Sequence, residues 1–294
     1  LDTLESLRFD LDNGFIPSFV RPCNAFSFAV NGNLSGRSNA ADWIRTAYHD
    51  MATHNIADGT GGLDASVRFA EEKAQADNVG DGSGNTLGIL TGITDRYVSG
   101  TIPTSLFFAP VLYRGGPKFA FRGGRIDATQ PNAAGVPEPQ QVISSHIASF
   151  ARQGFTQDEM IGLVACGDYT FGGVQHASFP DIAPDLNETR NFDSVAHFDS
   201  NNSQFDNNVA TEYISGTTQN PLVVGSNATT NSDARIFGSD GNATMRSFAE
   251  SPELFASNCA DLFTRMLDTV PAEVQLSEVL LTPLPVKLEL QPLA

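Results

Sequence analysis

Apolar positions along this chain recur with helical spacing more often than with the alternation that is typical of strands. Over residues 39–54 the apolar side chains recur every four positions, at Trp43, Ala47 and Met51. A second helix is predicted over residues 156–171, where Thr156 can act as N-cap and Glu159 as its capping-box partner three residues later. The pattern therefore predicts two helices separated by about a hundred residues of less regular sequence.

Two long segments carry little helical or strand periodicity. Residues 115–139 are rich in Gly and Pro and are predicted to be irregular. Residues 181–220 are crowded with Asp, Asn, Ser and Thr, so an apolar core cannot hold them, and a metal ion is one candidate. Strand signals are few and short. We therefore predict a mainly α architecture with long ordered loops.

Composition indicates a globular protein large enough to bury a sizeable core, as one domain or as two lobes around a cleft. The 294 residues are 40% hydrophobic and 17% charged, with 17 Lys+Arg against 34 Asp+Glu and a formal net charge of -17. Such acidity disfavours nucleic acid and anionic membranes as partners. No apolar run approaches the roughly 20 residues that span a bilayer.

Several features favour a secreted, extracellular protein. The chain begins at Leu1 without Met, and we expect a processed mature form. N-glycosylation sequons occur at Asn33, Asn187, Asn201, Asn227 and Asn242. Cys23 and Cys259 lie in polar contexts near the two ends and could form one disulfide, whereas Cys166 lies in an apolar run and is expected to be a buried thiol.

The first candidate chemistry lies in the 39–54 helix. Arg45 and His49 are four residues apart and so are neighbours on one helical face. A neutral imidazole beside a guanidinium can take a proton from peroxide, return it to the leaving oxygen and stabilise developing negative charge. A solvated arginine and a core histidine are the alternative for this pair alone. Asn78 could accept a hydrogen bond from the other ring nitrogen and fix the tautomer of His49.

A possible cation site follows directly after His49. Carboxylates, a hydroxyl and backbone carbonyls form the hard oxygen cage that Ca²⁺ prefers. The donors in this stretch are Asp50, Gly62, Asp64 and Ser66.

The order of these motifs resembles the distal side of secreted fungal (class II) peroxidases, in the plant-type haem peroxidase superfamily, and more closely that of fungal WSC-type peroxidase-like proteins. The matching motifs are HDMATH…GTGGLDAS over residues 49–66, and residues 121–128, 136–140, 160–167, 211–225 and 235–245. The resemblance covers nearly the whole chain. It implies a single all-α domain over 1–294 with the two-lobed haem peroxidase fold and calcium-stabilised loops. The distal lobe would span about 1–140 and the proximal lobe about 141–294, with haem b between them.

The resemblance also assigns roles on the distal side. Arg45 and His49 would be the catalytic pair, with Asn78 as the partner of His49. Asp50, Gly62, Asp64 and Ser66 would bind the first of two Ca²⁺ ions. Pro137 and Pro139 would line the haem access region.

The proximal side departs from the family, because its usual iron-binding histidine is missing from residues 165–176. Aligned from upstream, Asp168 takes that place; aligned from downstream, Tyr169 takes it, directly before Thr170. The downstream alignment is favoured because Thr170 would be the first ligand of the second Ca²⁺. Three alternatives stay open: Tyr169 binds ferric haem as a phenolate, His176 binds it after a rearrangement, or no haem is bound.

The remaining proximal residues also follow from the resemblance. The second Ca²⁺ would be held by Thr170, Asp199, Asn201, Gln204 and Asp206. If Asn201 is a ligand, its sequon is expected to be unoccupied. Asp240 matches the carboxylate that normally accepts the N–H of the proximal histidine, and here it would face the residue that replaced it.

The expected function is a secreted, monomeric haem peroxidase-type oxidoreductase that uses hydrogen peroxide on small organic, aromatic reductants.

The positions of the family's Mn²⁺ ligands hold Asp42, Ser38 and Gln175, so at most one of the three residues is acidic. The only tryptophan, Trp43, is predicted to be buried and is not a surface electron relay. Residues 99–113, with Phe107 and Phe108, also differ from the family. The alternative is a haem-free, calcium-stabilised pseudoperoxidase with a binding or structural role.

Overall fold

A computed structural model describes residues 36–88, 116–167, 172–188, 191–202 and 204–278. Within these ranges the chain is mainly helical, which confirms the predicted all-α class. The helices are α1 Asn39–Met51, α2 Ala70–Lys73, α3 Ile143–Gln153, α4 Gln157–Cys166, α5 Asn208–Ser215, α6 Pro221–Val224, α7 Ser232–Phe237, α8 Ala243–Glu250 and α9 Pro252–Asp268. Residues 82–88 are also helical, and 3₁₀ turns lie at Ser66–Arg68, Ala76–Asn78 and Ala228–Thr230.

The strands of the described residues are short and form two antiparallel pairs. Strand β1 (Arg122–Gly123) pairs with β4 (Ser277–Glu278), and β2 (Gly173–Gln175) pairs with β3 (Val195–His197). Most of residues 116–142 is otherwise irregular, as the Gly and Pro content predicts. The β1–β4 pair joins this irregular segment to residues that follow α9.

Helix α1 begins where Ser38 accepts a hydrogen bond from the backbone N–H of Ala41. It ends at Met51, three residues before the predicted end. The Arg152 guanidinium donates to the carbonyls of Ala52, Thr53 and His54 beyond it. These donors satisfy backbone groups that another helical turn would have used, so the chain can leave the helix without burying unpaired carbonyls.

Helix α4 has the predicted capping box. Thr156 accepts from the backbone N–H of Glu159, and the Glu159 carboxylate accepts from the backbone N–H of Thr156. The helix ends at Cys166, and residues 168–171, which the prediction included, lie outside the described residues.

The core lies where α4 and α9 pack on each other and on α1 and α8. Its largest fully buried side chains include Trp43, Phe237, Phe255 and Phe263. Burial of such side chains contributes about 1.5–3 kcal/mol each. The predicted burial of Trp43 is confirmed, and the packed core fixes the relative position of α1 and α4.

A disulfide joins Cys166 at the end of α4 to Cys259 in α9. The expected Cys23–Cys259 bridge and the expected buried thiol at Cys166 are therefore wrong. The packing of α4 on α9 brings the two Cα atoms within 5.4 Å, a separation that suits a disulfide. Cys23 and residues 99–113 lie outside the described residues.

Among the residues that the structure describes, no helix combines the length and the apolar character required to cross a membrane.

Candidate active site

A cavity of about 600 Å³ lies between α1 on one side and α4 with α9 on the other. Arg45 and His49 project from α1 into one wall. The facing wall is largely apolar, and it includes Leu163, Val164, Phe263 and Met266. A cavity of this size and character can enclose a large apolar cofactor with a few polar groups directed at its centre.

His49 is held by a short hydrogen bond between its Nδ1 and Oδ1 of Asn78, 2.6 Å away. The Asn78 amide nitrogen donates to the carbonyl of Glu72 at 3.0 Å, so the amide oxygen is the atom that faces the imidazole. An amide oxygen only accepts, so Nδ1 carries the proton in this arrangement. The second ring nitrogen, Nε2, is left as the basic atom.

Burial is the main reason that the pKa of His49 lies well below its usual value, because the charged imidazolium would lose its water. The positive charge of Arg45 lowers this pKa further, whereas the hydrogen bond to Asn78 opposes the shift. This shift favours the neutral imidazole, which is the form that can accept a proton.

Arg45 lies one helical turn before His49 and lines the same cavity. One of its terminal nitrogens donates to the carbonyl of Val79 at 2.9 Å. Val79 directly follows Asn78, so one short segment positions both members of the pair.

The loop at residues 129–141, here called the access loop, contributes Pro137, Glu138 and Pro139 to the cavity wall. The loop is anchored through its backbone. Asp77 accepts from the N–H groups of Gly135 and Val136, at 2.9 and 3.0 Å.

Next to His49 lies a set of oxygen-bearing residues, here called the distal oxygen cluster, formed by Asp50, Gly62, Asp64, Ser66 and Glu72. The Asp50 carboxylate accepts from the N–H groups of Ala65 at 2.7 Å and Val67 at 3.0 Å. The Ser66 hydroxyl lies 3.4 Å from Asp50 Oδ1 and 3.1 Å from Glu72 Oε1. The carbonyl of Gly62 accepts from the N–H of Asp64 at 2.9 Å. The structure thus brings the four predicted ligands of the first Ca²⁺ into one region.

The distal oxygen cluster brings together three acidic side chains, those of Asp50, Asp64 and Glu72. Burial, and then the charge of Asp64, raise the pKa of Asp50 to about 8. Burial also raises the pKa of Glu72. Among the described residues, no lysine or arginine forms an ion pair with these three carboxylates. A bound cation would remove the cost of burying them.

Sequence reasoning missed two members of this region, Glu72 and Asn132. The Asn132 side chain points into the distal oxygen cluster, where its Nδ2 is 2.9 Å from Ser66 Oγ. Its backbone N–H donates to Glu72 Oε2 at 2.6 Å. Asn132 lies more than sixty residues from Asp64 and Ser66, and no local spacing signals the contact.

A second acidic group lies between β3 and α5. Asp199 Oδ1 accepts from the N–H of Asn201 at 2.9 Å, and Asn201 Nδ2 donates to Asp206 Oδ2 at 2.6 Å. Burial, and then the charge of Asp206, raise the pKa of Asp199 to about 7. Within the described residues Asp199 Oδ2 has no hydrogen-bond partner, although the residue is only 1% exposed. Gln204 is exposed nearby.

No set of three or more His, Cys, Asp or Glu side chains within the described ranges is arranged to hold a metal ion alone. A cation in either acidic group would therefore need hydroxyl, amide or carbonyl oxygens in addition to carboxylates. Such mixed oxygen sets are typical of Ca²⁺.

The proximal residues are only partly described. Asp168, Tyr169 and Thr170 lie outside the described residues. Asp240 is not part of the cavity wall; its carboxylate accepts from Ala243 and Thr244 and caps α8. His176 bonds through Nδ1 to the Ala183 carbonyl at 2.8 Å and does not line the cavity either.

Asp42, the one acidic residue at the positions of the family's Mn²⁺ ligands, makes other contacts. The Asp42 carboxylate accepts from the Arg37 guanidinium at 3.2 Å and from Asn85 at 2.8 Å. Ser38 caps α1, and Gln175 lies in β2.

The fold is mainly helical, and its cavity carries a buried histidine and an arginine on one wall. The family model described as Peroxidase matches residues 27–251, which is more than half of the chain. The chain therefore belongs to the peroxidase family.

Relatives of this chain fall into two kinds. It is 36% identical over 290 residues to a WSC domain-containing protein of Arthroderma benhamiae, covering 94% of this chain and 38% of that protein. It is 24% identical over 228 residues to L-ascorbate peroxidase 3 of Arabidopsis thaliana, covering 74% of each chain. It is 29% identical over 129 residues to the mitochondrial cytochrome c peroxidase of Yarrowia lipolytica, covering 41% of this chain and 37% of that protein. The chain spans under two fifths of the WSC relative, and its similarity to the peroxidases supports a peroxidase-like function.

Proposed function

We propose that this protein is a haem peroxidase-type oxidoreductase that uses hydrogen peroxide to oxidise small organic, aromatic reductants. The observation that carries the proposal is the 2.6 Å bond from His49 Nδ1 to Asn78 Oδ1. That bond places the proton on Nδ1 and leaves Nε2 as a base, on the cavity wall that also carries Arg45.

His49 and Arg45 have separate roles in this proposal. Nε2 of the neutral His49 takes a proton from bound hydrogen peroxide and later returns it to the departing oxygen. The Arg45 guanidinium stabilises the negative charge that develops on that oxygen as the O–O bond breaks. Asn78 is a positioning residue, because it orients the imidazole and fixes its tautomer.

The cavity suits haem b by its size, its apolar facing wall and its polar pair on α1. Leu163 and Val164 would contact one face of the macrocycle, and Pro137 and Pro139 its access edge. When bound, haem supplies the iron redox chemistry that the protein side chains lack. Tyr169 is the proposed iron ligand, because a phenolate can serve ferric haem in place of the missing histidine. Asp240, besides capping α8, is the proposed neighbour of that ligand.

Two Ca²⁺ ions complete the proposal. Asp50, Gly62, Asp64 and Ser66 would bind the first ion. Thr170, Asp199, Asn201, Gln204 and Asp206 would bind the second. The buried carboxylates and the unpaired Asp199 Oδ2 support both assignments.

The protein is proposed to be secreted, to act outside the cell and to be monomeric. The Cys166–Cys259 disulfide supports an oxidising compartment. The sequons at Asn187 and Asn227 lie at exposed positions, which suits a glycoprotein.

The test is the ultraviolet–visible spectrum of protein purified from a haem-replete secretory host. A Soret band with phenolate-to-iron charge-transfer features is expected, and Tyr169→Phe should change it. Tyr213→Phe is the matched control, because Tyr213 donates to Asn242 outside the cavity wall. A spectrum that Tyr169→Phe leaves unchanged would rule out Tyr169 as ligand.

The second candidate is a haem-free pseudoperoxidase with a binding or structural role. The observation that favours it is the missing histidine between residues 165 and 176. A folded protein that gains no Soret band when hemin is added would support this alternative and exclude the proposed enzyme.

A further inference from the structure

The Asn132 amide nitrogen is surrounded by more acceptors than it can serve. It lies 3.2 Å from Thr53 Oγ1, 2.9 Å from Ser66 Oγ, and 3.2 and 3.0 Å from Oδ1 and Oδ2 of Asp64. A side-chain amide has two N–H protons. Four oxygens around one atom form the kind of shell that a hard cation takes from a protein.

The amide also leaves the charge of this region unbalanced. Asp50 and Glu72 are fully buried, and Asp64 is 6% exposed. A neutral amide cannot offset three buried carboxylates, and burying unpaired charge is costly. A cation can offset them, with an amide oxygen turned toward it as a further ligand.

We propose that Asn132 is a ligand of the cation in the distal oxygen cluster and binds it through its side-chain oxygen. This inference rests on the proposed first Ca²⁺ site and adds a ligand from a separate part of the chain. Without a cation, Nδ2 points inward and donates to the oxygens. With the cation, a half-turn about the last side-chain torsion turns Oδ1 toward these oxygens, and the cation lies between Oδ1 and the oxygens.

The consequence is that the cation ties the access loop to the end of α1. Asn132 belongs to that loop, five residues before Pro137 on the cavity wall. Its backbone N–H bonds to Glu72, and the carbonyl of Glu72 holds Asn78. One ion would therefore stabilise both the cavity entrance and the segment that positions His49.

The test is calcium affinity, measured by competition with a chromophoric chelator on the full chain. Asn132→Ala should weaken one class of site by about tenfold or more, and leave the other class unchanged. Asn132→Asp should tighten the same class, because it adds a charged ligand. In chelator, Asn132→Asp should also lower the thermal midpoint, because it adds a fourth carboxylate beside those of Asp50, Asp64 and Glu72.

Gln75→Ala is the matched control. Gln75 Nε2 donates to the Asn132 carbonyl at 2.8 Å, so this variant loosens the same loop but leaves the Asn132 side chain in place. Its calcium affinity should equal that of the wild type. If Gln75→Ala weakens calcium as much as Asn132→Ala, then Asn132 acts only through loop position and the inference is wrong.

Two further outcomes would also overturn it. If Asn132→Asp binds calcium no more tightly than the wild type, the Asn132 side chain is not a ligand. If wild type shows no calcium binding and no loss of stability in chelator, the amide itself replaces the cation. Peroxidase activity, assayed on the same preparation, tests the proposed function separately.

Discussion

His49 Nδ1 and Asn78 Oδ1 lie 2.6 Å apart, although the two residues are separated by 29 positions in the chain. The Asn78 amide is itself oriented by its bond to the Glu72 carbonyl. The basicity of the cavity-facing nitrogen thus depends on a backbone group of the distal oxygen cluster.

Replacing Asn78 should slow the reaction with hydrogen peroxide without abolishing haem binding. Asn78→Val removes the acceptor that fixes the His49 tautomer, and we expect a loss of about 10- to 100-fold in the second-order rate constant. Stopped-flow absorbance measures this rate. Asn85→Val is the control, because Asn85 bonds Asn39 and Asp42 and not His49. Equal losses in both variants would mean that the effect is not specific to the imidazole.

The peroxide reaction should persist to acidic pH, because the pKa of His49 lies well below its usual value. The neutral imidazole is the active form, so the rate should fall only as pH drops through that lowered pKa. Arg45→Leu removes a charge that helps to lower the pKa, and it should move this acid limb to higher pH. It should also slow the reaction by about 10²–10³-fold.

Arg45→Lys is the control for the electrostatic part of this prediction. It keeps the positive charge, so its acid limb should move less than that of Arg45→Leu. A limb that moves to lower pH in Arg45→Leu would contradict the assigned influence of the guanidinium on His49.

Removing the Cys166–Cys259 disulfide should lower the free energy of unfolding by about 2–4 kcal/mol, because the bridge closes a long loop of the unfolded chain. The two cysteines are 93 positions apart. Urea unfolding of the Cys166→Ser/Cys259→Ser double variant measures the loss. Cys23→Ser should leave the stability unchanged, and an equal loss there would point to a different pairing.

Asp199→Asn should change stability in opposite directions with and without calcium. In chelator, the variant neutralises a buried carboxylate whose Oδ2 is unpaired, and a gain of about 1–3 kcal/mol is expected. With calcium in excess, it removes a charged ligand and should lower the thermal midpoint. Asp261→Asn, at an exposed position of α9, is the control and should change neither value. A midpoint that rises in both conditions would argue against a cation at Asp199.

The sequence by itself determined the helical class, the capping box of α4 and the placement of Arg45 and His49 on one face of α1. These depend on short-range relations: Arg45 and His49 are one turn apart, and Thr156 and Glu159 bond across a single turn. The proposed calcium ligands Asp50, Asp64 and Ser66 lie within a stretch of seventeen residues, so one loop after α1 can gather them.

Only the tertiary structure decided which distant segments meet. The packing of α4 on α9 selected Cys166 as the partner of Cys259, and it overruled the choice that the polar context of Cys23 suggested. The access loop brought Asn132 to Asp64, although 68 positions separate them in the chain. Contacts of this kind depend on how apolar faces pack in three dimensions, which no spacing in a single sequence encodes.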